Sequence, residues 1–153
     1  MEPIASDGRR VFYLRILAPG EGLASPFGGV PYPALVWATC PTTDAQKERL
    51  CTDLVESACR YIVCAGEESE AWEETADEVI IAREELRGER VPDEEFVMTT
   101  SRTNETIDDA GFYFVRCIRF SKHDFTGHIV LLIGDDARIR EPLVATIRQY
   151  ASG

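Results

Sequence analysis

Three stretches of this chain are apolar at nearly every position: LVWATC at 35–40, YIVCA at 61–65 and HIVLLI at 128–133. A strand with one wet face alternates apolar and polar residues. A short continuous run, rich in β-branched and aromatic residues, is the mark of a strand buried on both faces. Two further runs, VFYLRIL at 11–17 and FVMTT at 96–100, bring the strand count to five.

Helical patterns alternate with these runs. Behind the turn PTTD at 41–44, a helix is expected over 45–59, with Leu50, Leu54, Val55 and Ala58 inside and Lys47, Glu48 and Arg49 outside. Past Gly66, the residues Trp72, Ala76, Val79, Ile80 and Leu86 fall on one stripe expected to face the sheet, and Gly88 stops the helix. Ile107, Ala110, Gly111, Phe114 and Ile118 also recur at helical spacing, although GFYFV at 111–115 reads as a strand too. After a linker at 121–127 and the last strand, a final helix runs to about residue 150 on Ile139, Leu143 and Ile147.

This alternation predicts an α/β fold: one domain over 1–153, a three-layer sandwich with a mostly parallel five-stranded sheet and helices on both faces. The layout expected is flavodoxin-like or Rossmann-like. The strand at 11–17 is expected to be the antiparallel one, because no helix follows it. Residues 19–34 hold four of the eight prolines and four of the eleven glycines, so a long loop follows instead, either a lid or a connector. Residues 1–10, polar and mixed in charge, read as a flexible N-terminus.

Charge is concentrated in one place. Between 67 and 95, thirteen carboxylates face only Arg83, Arg87 and Arg90, a local charge of −10 where the whole chain carries −11. Along the helix the i,i+4 neighbours are alike: Glu70 with Glu74, Glu73 with Asp77, Glu74 with Glu78. Each such pair costs roughly 0.2–0.5 kcal/mol, so the isolated helix would be more stable without them. A pI near 4.6 argues against nucleic acid or an anionic membrane as partner. No apolar run approaches the ~20 residues of a membrane span, no signal peptide is evident, and an odd count of five cysteines fits a reducing compartment; a cytoplasmic protein is expected.

Right-handed crossovers place the loops after Cys40, Ala65, Thr100 and Ile133 along one edge, where a doubly wound fold keeps its ligands. No phosphate-binding glycine motif occurs there. Glu67 and Glu68 stand at a helix start, placed to cap it and to repel a phosphate. Thr100, Ser101, Arg102 and Asn104 form the best candidate anion pocket, against which stands ordinary helix capping by Thr103 or Asn104. Glu67 with Asp135 and Asp136 offers hard oxygen ligands for magnesium, but a Gly-Asp-Asp turn is more often a helix cap, and no metal or other cofactor is expected. A receiver-type site fails residue by residue, with Ala18-Pro19, Gly66-Glu67 and Gly134-Asp135 where its acidic pair, aspartate and lysine belong. A nucleophilic site would need Cys40 or Cys64 beside His123 or His128.

Three function classes follow. The first is a non-enzymatic interaction module, of inhibitor, immunity or adaptor type, that meets a basic protein through Glu70, Glu73, Glu74, Asp77, Glu78, Glu84 and Glu85. The alternative is a small-molecule-binding, nucleotide-binding or hydrolytic domain at the strand-end edge. The third is a homodimer or larger scaffold joined by the aromatic run Phe112-Tyr113-Phe114.

Overall fold

A computed structural model describes residues 1–120 and 122–152, so Ser121, the first residue of the expected linker, lies outside it. Among the described residues the elements are β1 (Glu2–Ser6), β2 (Val11–Leu17), β3 (Tyr32–Ala38), α1 (Asp44–Glu56), β4 (Cys59–Gly66) and α2 (Ser69–Arg87). There follow β5 (Met98–Ser101), α3 (Ile107–Phe112), β6 (Gly127–Ile133) and α4 (Ala137–Ser152). A π-helical turn, Tyr113–Cys117, continues α3, so the ambiguous run at 111–115 is helical.

The sheet has six strands in the order β1-β2-β6-β3-β4-β5, and every neighbouring pair is parallel except β1 with β2. Two expectations are corrected here. The segment read as a flexible N-terminus supplies β1, the antiparallel edge strand, while β2 runs parallel to β6. The order is also not that of flavodoxin, because the last strand is inserted between the first two parallel strands. Strand order depends on which loop crosses which, and no run of residues encodes that locally.

Steps from β3 to β4 to β5 cross the sheet one way, and the step to β6 returns. Right-handed connections therefore put α1 and α2 on one face and α3 on the other, where α4, which follows the last strand, packs beside α3. The two cores show it. Val36, Ala38, Ile62 and Cys64 pack with Leu50, Leu54 and Trp72, while Leu35, Trp37, Val63 and Ala65 pack with Phe114, Leu143 and Ile147. All seven residues of β3 are buried, which is why its sequence carries no alternation.

The long loop between β2 and β3 takes the place of a crossover helix on the α1 face. Leu23 is buried, its amide donates to Asp53 Oδ2 at 2.8 Å, Arg49 Nη1 donates to Gly20 O at 2.9 Å, and Phe27 packs on Tyr13 and Tyr32. Pro33 enters β3 at a register shift, before pairing with β6 begins at Ala34, so its missing N–H breaks no ladder there.

Two helix faces differ from the expected ones. Lys47, placed on the outer face of α1, is only 2% exposed: its ammonium donates to Thr42 O and to Glu68 Oε1. Leu86, placed on the inner stripe of α2, is 89% exposed. At 100° per residue it is turned about 40° from Trp72, toward α1 and off the sheet.

Candidate functional site

The strand-end edge is laced together by its own backbone. Thr39 donates to Ile133 O through both its amide and its hydroxyl, Gly134 N donates to Leu17 O, Glu67 N to Ala38 O and Arg102 N to Cys64 O. The side chains there are also paired. Arg102 stacks on the Tyr113 ring at 4.0 Å and forms an ion pair with Glu105, which holds the guanidinium above its usual range. Thr103 bonds Ser69, Asn104 occupies a left-handed turn at φ 61°, and the cap of α3 is Thr106, not Thr103 or Asn104. Thr100 and Ser101, half-buried in β5, thus sit beside a guanidinium whose charge is already matched.

The acidic candidates are dispersed in the same way. Asp135 is paired with Arg140, and Asp136 accepts from the Arg138 amide and guanidinium in a helix-capping turn. Among the described residues no three His, Cys, Asp or Glu side chains converge as a metal site would require. Glu68 does not cap α2 with its side chain. Its carboxylate turns to the Thr42 amide and hydroxyl and to Lys47, and the Thr42 amide does most to hold it below the usual carboxylate range. Glu67 is exposed.

The pairing of cysteine with histidine that a nucleophilic site would need does not assemble. Cys40 follows the C-terminal end of β3, whereas His128 opens β6 and His123 precedes it, at the opposite edge of a parallel pair. Burial pushes the Cys64 thiol well up, the reverse of activation.

The acidic face of α2 borders a different feature, a groove of about 580 Å³ between α1 and α2. Its floor is Thr52 and Val55 from α1 with Ala71, Thr75 and Val79 from α2, and Leu86 stands at its wall. The rim is Asp44, Glu48 and Glu56 on one side and Glu74 and Glu78 on the other, opposed among the described residues by Arg83 alone. Of the seven carboxylates expected to meet a partner, Glu74 and Glu78 are on this rim. Asp77 points to β5, where it accepts from Thr99 Oγ1 at 2.7 Å; Glu73 is half-buried; Glu70, Glu84 and Glu85 are exposed elsewhere on α2.

The α1 half of the rim escaped the sequence reading, although its signal is present. Asp44, Glu48, Thr52 and Glu56 are spaced by four and so share one face of α1. Taking Glu48 together with Lys47 and Arg49 as a mixed outer surface hid that ladder.

The aromatic run does not form an open face. Phe114 is buried, Tyr113 bonds the Tyr61 hydroxyl at 2.6 Å, and Phe112, the exposed member, packs edge-on against Tyr150.

Fold and side chains together define an α/β protein whose strand-end loops bind one another and whose open concave surface includes an acidic interhelical groove. A family model described as "Domain of unknown function (DUF7684)" matches residues 11–149, and the chain belongs to that family. No curated protein and no solved structure matches it. Among the described residues, no helix is long and apolar enough to cross a membrane.

Proposed function

We propose that this protein is a non-enzymatic interaction module whose α1/α2 groove takes a basic amphipathic helix from a partner protein. The observation that carries this reading is the pairing of a floor of small side chains, Val55, Ala71 and Val79 with Thr52 and Thr75, with a rim of five carboxylates against one arginine among the described residues. An amphipathic helix laid into a groove contributes apolar anchors at i, i+3, i+4 and i+7, and lysines or arginines flanking that stripe meet the rim. The exposed Leu86 extends the floor and gives such a helix a further apolar contact. Like-charge repulsion along α2, unfavourable in the isolated protein, is relieved when the partner's cations arrive.

The test is fluorescence anisotropy with a labelled helical peptide carrying leucines on one face and lysines on the other. Wild type is expected to bind it, with affinity falling steeply between about 0.05 and 0.2 M salt as screening grows. Glu74→Lys with Glu78→Lys is expected to weaken binding by at least about tenfold, and Val79→Asp to do the same through the floor. Arg102→Ala, on the strand-end edge, should leave it unchanged. A wild-type protein that ignores the peptide, or binds it equally after both groove changes, would sink the reading.

A further inference from the structure

A second concavity lies at the other end of the sheet. It measures about 650 Å³, within the range of small-molecule sites, and opens at the N-terminal edge of β2 and β6. In a chain carrying −11, its wall holds, among the described residues, four arginines, Arg9, Arg10, Arg116 and Arg119, and a single carboxylate, Asp124. Asp124 is matched by Arg9 at 2.8 Å, and Arg10 is matched by Asp7. Arg116 and Arg119 form no ion pair among the described residues. Each spends one donor on a backbone carbonyl, Arg116 Nε on Tyr150 O and Arg119 Nη1 on Ile118 O, and keeps the rest of its fork.

The wall also contains a cluster of three aromatic rings. His123 stacks on Phe120, with centroids 5.0 Å apart and planes 30° apart, and on Phe125, at 5.5 Å and 21°, while Phe120 and Phe125 meet each other at 6.4 Å, so the three rings form a triangle. Beneath them His128 is only 2% exposed yet lines the cavity, packed by Phe12 and Phe114. Its Nδ1 lies 3.4 Å from Thr126 O; a carbonyl can only accept, so Nδ1 carries the proton of that bond and Nε2 is left as an acceptor. No partner meets Nε2 among the described residues. Arg116 comes from the π-helical turn, a distortion that recurs at functional sites.

Three kinds of recognition thus meet in one cavity: unpaired guanidinium groups for a phosphate, stacked rings for a planar ring, and a buried neutral acceptor for a hydroxyl or amino donor. We infer that this cavity binds a small molecule of the nucleoside-phosphate class, its phosphates on Arg116 and Arg119 and its ring beside Phe120 and His123. The ligand's hydroxyl or amino group donates to His128 Nε2. The site is independent of the α1/α2 groove and lies at the opposite edge from the strand-end loops.

Calorimetric titration with adenosine diphosphate, and separately with inorganic pyrophosphate, tests this. Wild type is expected to bind both, the nucleotide more tightly because it alone has a ring and hydroxyls. Arg119→Ala and Arg116→Ala are each expected to weaken the nucleotide by about tenfold or more. Arg138→Ala, at an arginine on α4 outside the cavity, should leave binding unchanged. Arg116→Ala also loses the bond to Tyr150, so thermal midpoints without ligand are compared first; if that variant fails to fold, Arg119→Ala carries the test. No binding of either probe, equal affinity for the two, or nucleotide binding indifferent to Arg119→Ala would overturn the proposal.

Discussion

His128 shows how one buried side chain ties this fold to pH. Burial, with Arg10 nearby adding to it, pushes the imidazole down from 6.5 to about 4. In the unfolded chain the same ring takes up a proton near 6.5. Between those values the unfolded state binds a proton that the folded state refuses, so stability falls as pH falls from 6.5 toward 4 and levels off below. The whole shift corresponds to on the order of 3 kcal/mol, about 2 kcal/mol of it lost by pH 5. Urea midpoints at pH 7 and about pH 5 should therefore drop more for wild type than for His128→Phe, which keeps an aromatic ring among Phe12, Phe114 and Phe125 without the titrating nitrogens. A parallel drop in both proteins would refute the assignment to His128. Glu68 works in the opposite range. Its lowered carboxyl contributes stability above the ordinary carboxylate value and loses it as pH falls further, which leaves the higher window to His128.

At the scale of elements, close approach of α3 to α4 rests on Gly111. A Cβ added there would collide with Thr146 Cγ2, and Thr146 is itself buried. Alanine in place of a helical glycine gains about 1 kcal/mol of propensity, whereas overpacking costs about 1–3 kcal/mol. Gly111→Ala should thus be destabilising by about 1 kcal/mol, and Gly111→Ala with Thr146→Ala should be less so than the sum of the single changes. Denaturant midpoints of the four proteins close that cycle; strict additivity would mean the two residues do not press on each other. The same elements show what could be read from the chain. Continuous apolar runs announced β3, β4 and β6 because both of their faces are buried, and the periodicity of Ile107, Ala110, Gly111 and Phe114 announced α3. β1 was illegible because a short edge strand with one buried residue, Ile4, has no pattern to show. Lys47 was misread because lysine is outside by default, and its partners, Thr42 O and Glu68, are set by tertiary structure. The acidic charge of the groove was legible from α2, but the groove itself needs α1 beside it, and the arginine cavity needs residues more than a hundred positions apart.

For the whole molecule the consequence is a charge axis. Carboxylates line the groove on the α1/α2 face, and unpaired arginines line the cavity at the N-terminal edge of β2 and β6. The groove lies about one layer of 10 Å above the sheet and the arginines about one layer below it, and roughly two and a half strand spacings of about 4.8 Å separate them sideways, which puts the two on the order of 25 Å apart. In water a unit pair at that distance interacts by about 0.2 kcal/mol before screening. Glu74→Lys with Glu78→Lys changes the groove by four charge units, seen by a ligand of about three charges. Screening over about 8 Å at 0.15 M salt leaves about 0.1 kcal/mol of the resulting effect, and screening over about 30 Å at 0.01 M leaves about 0.9 kcal/mol. The double variant should therefore bind adenosine diphosphate as wild type does at 0.15 M salt and about fourfold more tightly at 0.01 M, the ratio cancelling the salt dependence of the arginine contacts themselves. A tenfold change already at 0.15 M would mean the groove and the cavity are coupled through packing, because the field alone is too weak there. No change at 0.01 M would mean the cavity does not feel the acidic face at all, and the two surfaces would then have to be treated as electrostatically separate.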